Sequence, residues 1–180
     1  LFYVIDVIGM GEAEAQRFVG NMSTVIGLVL LGVTLPAGWL ADRVGRKPLV
    51  AAAGLIAAAG TGMVLIVRTP EWITAAGALL GLSVGMFLSA NWALVTDLVP
   101  EAEAARYLGI ANIATAGGSG LARLIGGAMI APLNRWTASP SAGYLGLYGL
   151  ALLAFLLGTA AILRVPAGRP GAVNPTGSSA

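Results

Sequence analysis

The sequence contains no cysteine and no histidine. Disulfides, thiol nucleophiles, Cys/His metal sites and histidine acid–base chemistry are thereby excluded from these 180 residues. Charge is scarce as well. Asp, Glu, Lys and Arg make up 10% of the chain, against roughly 25% in an average soluble domain. The net charge is only +2, so the pI of about 9.4 gives no indication of a nucleic-acid partner. A Gly-x-x-x-x-Gly-Lys-Ser/Thr phosphate loop is also missing, which argues against an ATPase of that type. No carboxylate pair lies deep in an apolar run, so an intramembrane enzyme has little to work with. No cofactor is implied.

Apolar residues dominate instead. They form 57% of the chain, and the mean hydropathy is +0.86. Excess of this size calls for lipid as the solvent. The charges cut the sequence into membrane-sized pieces. Between Arg17 and Asp42 lie 24 uncharged residues, between Lys47 and Arg68 20, and between Glu71 and Asp97 25. From Tyr107 to Asn134 the one charge is Arg123, and from Ser141 to Leu163 there is none. A helical span takes about 20 such residues, whereas barrel strands would alternate and be half as long. The pattern therefore predicts an all-α polytopic membrane protein with six spans, at about 1–10, 17–41, 48–68, 72–96, 107–131 and 142–164. The opening LFYVIDVIGM has neither the basic front nor the cleavage site of a signal peptide. It reads as the tail of a span whose start is missing. Residues 166–180, rich in Pro, Gly and Ser, are expected to form a disordered tail.

Lys and Arg in short loops set orientation. With the Asp42 loop in the cytoplasm, that side holds Arg43, Arg46, Lys47, Arg106, Arg164 and Arg169. The other side holds Arg17, Arg68 and Arg135. Six against three places the Asp42 loop and the C-terminus inside the cell.

The spans differ in polarity. The third has one polar side chain, Thr61, and the sixth has two tyrosines and a threonine. Both are expected to tolerate lipid all round. In the fourth, Gly77, Gly81, Gly85 and Ser89 recur every four residues, and in the fifth Ala114, Gly118, Ala122 and Gly126 do the same. Small residues on one face let helix backbones approach closely in lipid. The fifth also carries Asn112, Thr115, Ser119 and Arg123, which fall within about 80° of one another at 100° per residue. The second has a milder stripe in Ser23, Gly27, Thr34 and Gly38. Polar faces point at another polar face or at water inside a bundle. Arg123 lies near mid-span, where an arginine costs about 2.5–3.5 kcal/mol and usually marks a pathway. A structural ion pair and snorkelling to the surface are the competing readings. Asn91 and Trp92, late in the fourth span, offer an amide and an indole to a polar solute with an apolar face; for Trp92 packing is the simpler role.

The densest charge lies in GWLADRVGRKP, Gly38 to Pro48. Asp42 ends a span, where a helix C-terminus disfavours an acid. Arg43, Arg46 or the N-terminal end of another helix should compensate it. Gly45 permits a tight turn with positive φ, and Pro48 suits the start of the next helix. A turn of two or three residues is expected. Positive-inside topology alone accounts for the bases.

Gly38-x-x-x-Asp42-Arg43-x-Gly45-Arg46-Lys47 also resembles the signature loop of the major facilitator superfamily, between the second and third helices of each six-helix half. The stretch from Thr96 to Gly127, with an acid ending one helix, then a proline, a base and a glycine-rich helix, looks like that family's passage from fourth to fifth helix. The resemblance implies two six-helix halves and alternating access to a site between them. This chain would be one half, its short tail favouring the C-terminal one. Its partners would be a small-molecule substrate, the bilayer of the cell membrane and an N-terminal half of the same protein. By the same resemblance, Asp42 would lie against a helix of the other half and Arg46 would pair with Asp97, closing a cytoplasmic gate. Asp6 is then the candidate coupling acid in this chain, since the gate occupies Asp97; a place at the water boundary for Asp6, with the coupling acid in the other half, is the competing reading. Pro36 would bend the second span or form a static kink. The alternative function is a membrane assembly or scaffold protein on the same fold.

Overall fold

The computed structural model describes residues 1–98 and 103–164, without the side chains of residues 92, 93, 95–98 and 104. Arginine–acid pairing at Asp97, any role of the Trp92 indole, and the tail from 166 onward fall outside the described residues.

Every regular element among the described residues is helical. A short π-helical stretch, Val4–Ile8, comes first and ends at Gly9, which is left-handed at φ 82. Five long helices follow: α1 (Glu12–Val44), α2 (Arg46–Ile66), α3 (Pro70–Leu98), α4 (Ala104–Thr137) and α5 (Ala142–Arg164). Each is long and apolar enough to cross a membrane. Helices α1 and α4 overrun the expected spans 17–41 and 107–131, by five residues at the start of α1 and six at the end of α4. A helix does not stop at the hydrocarbon boundary, because its ends find water or headgroups there. Pro36 sits inside an unbroken α1 and Pro132 inside α4. Each removes one backbone donor from its helix.

The helices do not pack in chain order. Helix α3 lies between α1 and α2, α2 lies between α3 and α5, and α4 packs mainly on α5. The four-residue rhythm of α3 forms its face toward α1. A Cβ on Gly81 would stand 2.7 Å from the carbonyl oxygen of Ile26 and 3.2 Å from its Cα; one on Gly85 would stand 2.9 Å from the oxygen of Leu30. Ser89 completes the row by donating to the Thr34 carbonyl at 2.6 Å. Ser83, on another face of α3, donates to Ala53 of α2 at 2.8 Å.

The expectation for the third span is overturned. Helix α2 does not face lipid all round but is the innermost helix, with Ala53, Ala57, Ala58, Gly60 and Thr61 buried. An apolar surface without a polar stripe suits a bundle centre as well as lipid. Alanines on several sides then let α3 and α5 approach together. Gly54 completes the α2–α5 contact, where a Cβ would collide with the Thr159 hydroxyl. The sixth span, α5, is largely exposed.

The small-residue row of α4 behaves differently from that of α3. Among the described residues only Gly126 of that row meets a neighbour, Leu147, while Gly118 faces open space. The α4–α5 crossing lies nearer the α4–α5 loop, where a Cβ on Gly143 would stand 2.6 Å from the Ile130 Cα. From Asn112 to Ile125 every α4 residue is exposed.

Gly81→Ala is expected to destabilise the protein by about 1–3 kcal/mol, because the clash is with backbone that cannot rotate away. Gly62→Ala, with nothing within 4 Å of the new Cβ, is the matched control and should be near neutral. Thermal unfolding of the two variants in one detergent checks the difference.

Candidate functional site: the Asp42–Lys47 turn, the α4 stripe and an apolar cleft

The α1–α2 turn is tighter than expected. Helix α1 ends at Val44 and α2 begins at Arg46, so Gly45 alone makes the reversal. It does so at φ 101, ψ 147, a region that only glycine enters cheaply. Pro48 is consequently the third residue of α2 rather than the first. It remains within the first turn, where its missing N–H has no intrahelical partner to lose.

The cations of this turn have separate tasks. The Arg43 guanidinium lies 3.8 Å from the centroid of the Trp39 ring, a cation–π contact on the exposed side of α1. The Lys47 ammonium donates to the Leu163 carbonyl at 2.9 Å. A lysine at the start of α2 thus caps the end of α5, where an unpaired carbonyl and the negative helix end favour a cation. Arg46 is half-buried at the start of α2. Gly38 has open space where a Cβ would stand. Asp42 is exposed, and among the described residues its carboxylate has no partner. Arg43 therefore stacks on Trp39 instead of compensating it.

On α4, Asn112, Thr115, Ser119 and Arg123 are all exposed. Thr115 donates to Ala111 at 2.9 Å and Ser119 to Thr115 at 3.0 Å, both within their own helix. Their hydroxyl protons are engaged while oxygen lone pairs remain to accept. Arg123 has no hydrogen bond or ion pair among the described residues. At 100° per residue this row points the same way as Gly126, Met129, Ile130 and Leu133, to within about 70°. Gly126, Met129, Ile130 and Leu133 meet Leu147, Gly146 and Gly143 of α5. The polar row therefore prolongs the α4–α5 seam into the stretch where α4 has no packing partner among the described residues.

Asn91 is placed elsewhere. It lines an apolar cleft of about 330 Å³ between α2, α3 and α5, with Phe87, Phe155, Ser83 and Thr159. Ser83 and Thr159 spend their hydroxyl protons on Ala53 and Phe155. That leaves the Asn91 amide as the polar group there without a partner among the described residues. Helices α3 and α4 share no substantial packing, so Asn91 and Arg123 are not brought together.

At the opposite end from the Gly45 turn, Tyr144 donates to the exposed Asp6 carboxylate at 2.7 Å. The ring of Tyr3 meets those of Tyr144 and Tyr148 edge-on, at 5.7 and 5.4 Å. Asn134 accepts from the Gly143 backbone N–H at 2.7 Å and so caps the start of α5. Sequence reasoning missed the Lys47 cap, the Arg43–Trp39 stack and the tyrosine cluster. Only the four-residue spacings of Trp39 with Arg43 and of Tyr144 with Tyr148 hinted at the last two.

Comparison with known proteins bears on this arrangement. The profile described as Major Facilitator Superfamily matches residues 4–179. Over 115 residues the chain is 31% identical to the minor myo-inositol transporter IolF of Bacillus subtilis (strain 168), a stretch covering 64% of this chain. It spans only 24% of that relative's length. No solved structure matches. A profile match over nearly the whole chain, on five membrane-length helices of which the first two are joined by the Asp42–Lys47 turn, establishes that this multi-pass membrane protein belongs to the Major Facilitator Superfamily.

Proposed function

We propose that this chain forms one six-helix half of a secondary transporter, which moves a small polar solute across the cell membrane by alternating access. The observation that carries the reading is the exposed row Asn112–Thr115–Ser119–Arg123 on an otherwise apolar helix. An arginine at mid-membrane depth is costly unless it faces water or a polar partner. The row offers guanidinium and amide donors beside hydroxyl oxygens that accept. A polyhydroxylated solute, which both donates and accepts, matches that set without needing a charge. An anionic solute would use the guanidinium alone. The inositol-transporter relative favours the polyol. An assembly or scaffold protein would have no use for a solvated arginine row at this depth, which makes it the weaker reading.

In this scheme the other half faces the α4 row. The Asp42–Lys47 turn lies on the cytoplasmic side and biases the balance between inward- and outward-open states. Asp42, exposed and unpartnered among the described residues, is available to a helix end of that half. Transport is ion-coupled, and the coupling group lies outside the α4 row, which holds no carboxylate.

Uptake of labelled myo-inositol and other polyols by the full-length protein in proteoliposomes tests the function. Arg123→Ala is expected to lower uptake by about tenfold or more, the scale of a lost charged hydrogen bond, while membrane insertion is unchanged. Wild-type kinetics in that variant would remove the arginine from the pathway. Asp42→Asn is expected to lower the maximal rate by about fivefold with KM within about twofold, as a modest shift in a two-state balance implies. A selective loss of affinity would contradict a gating role.

A further inference from the structure

Asp6 is the carboxylate on which a coupling role would fall most readily, yet its surroundings suit another task. The Val4–Ile8 stretch is joined to α1 through Gly9 at φ 82 and Gly11 in extended conformation, so its helix is not continued into α1. Lateral contacts hold it against the bundle. Tyr3 and Val4 are buried, at 7% and 4% exposure, against a cluster that includes Val64 of α2, Ile73 of α3 and Tyr144 of α5. The Tyr3 hydroxyl points at the Val64 carbonyl at the end of α2, at a long 3.4 Å. Tyr144 closes the other side through its 2.7 Å bond to Asp6. One residue away, the Gly143 N–H is taken by Asn134 of α4. The start of α5 is therefore tied to α4 at Gly143 and to the N-terminal stretch at Tyr144.

The geometry points to Asp6 and Tyr144 as a clasp that keeps the N-terminal stretch seated on the outer ends of α2 and α5, with Asp6 acting as a fixed acceptor and not as the coupling acid. The claim rests on the transporter reading only for its second half. The clasp itself is read separately from transport. An acceptor role needs an oxygen at this position and no proton exchange. Asparagine keeps that oxygen, whereas alanine does not. Tyr144→Phe keeps the ring against Tyr3 and removes only the donor.

Because the chain has no cysteine, a single Val4→Cys reporter in the full-length protein gives an unambiguous signal. Its labelling by a membrane-impermeant maleimide reports unseating of the stretch. In that background Tyr144→Phe and Asp6→Ala should each raise the labelling rate about tenfold, the low end of what a hydrogen bond to a charged group contributes. Asp6→Asn should raise it less than about threefold, and the Asp6→Ala/Tyr144→Phe pair should be no faster than either change alone. Unchanged labelling in Tyr144→Phe, or additive rates in the pair, would overturn the clasp. Labelling needs no transport, so a protein that moves no polyol leaves this result intact. Where uptake is measurable, Asp6→Asn should retain concentrative uptake. Loss of accumulation with solute counterflow preserved would instead make Asp6 the coupling acid and overturn the assignment.

Discussion

Two apolar helices in lipid gain nothing from hiding apolar surface from each other, since the acyl chains are as apolar as they are. Van der Waals contact and hydrogen bonds between backbones must hold them together. In this chain that happens where side chains shrink to a hydrogen. Gly81 and Gly85 bring α3 within contact of the Ile26 and Leu30 carbonyls, and Gly143 brings α5 onto the backbone at Ile130. At such distances a hydroxyl reaches across, as Ser89 does to Thr34. The order α1–α3–α2–α5–α4 is the consequence, with each adjacent pair joined by small residues or a short polar contact.

The Asp42–Lys47 turn shows how one short segment serves topology and packing together. Gly45 reverses the chain in a single residue, which places Lys47 in the first turn of α2 and within reach of the last carbonyls of α5. Arg43 is drawn onto Trp39 on the outer face of α1. The cations are thus distributed over three helices, and Asp42, the residue before Arg43, is left exposed. Positive-inside topology alone would need the charges but not these separate placements.

Much of this was legible in the sequence, for physical reasons that differ by element. Uncharged runs of membrane length announce α1 to α5, because a bilayer core tolerates little else. The four-residue rhythm of Gly77 to Ser89 announced a close helix contact, though not that α1 would supply it. The identical rhythm in α4 announced a contact that only Gly126 makes within the described residues. Periodicity shows that a face is small but not what covers it. For the same reason α2 was misread: alanine and leucine on every side suit both lipid and a bundle centre. Contacts between distant parts of the chain, such as Lys47 with Leu163 or Asp6 with Tyr144, have no local signature. Of the site residues, the α4 row was legible as a shared face, whereas the separation of Asn91 from it became clear only once α2 and α5 were seen to enclose a cleft with α3.

Helix α4 is gripped along its final third, by Gly126, Ile130 and Asn134 against α5, and among the described residues has no packing partner from Asn112 to Ile125. The part beyond the grip is a rigid rod of roughly 22 residues, about 33 Å long. A rod held at one end is a lever. Tilting the grip by about 5° would sweep its far tip through about 3 Å, roughly two residues of helical rise. Arg123 sits next to the fulcrum and would scarcely be displaced, while Asn112, about two-thirds of the way to the tip, would travel furthest of the row. A solute held along this row would therefore feel one end of its cradle stay fixed as the other swings.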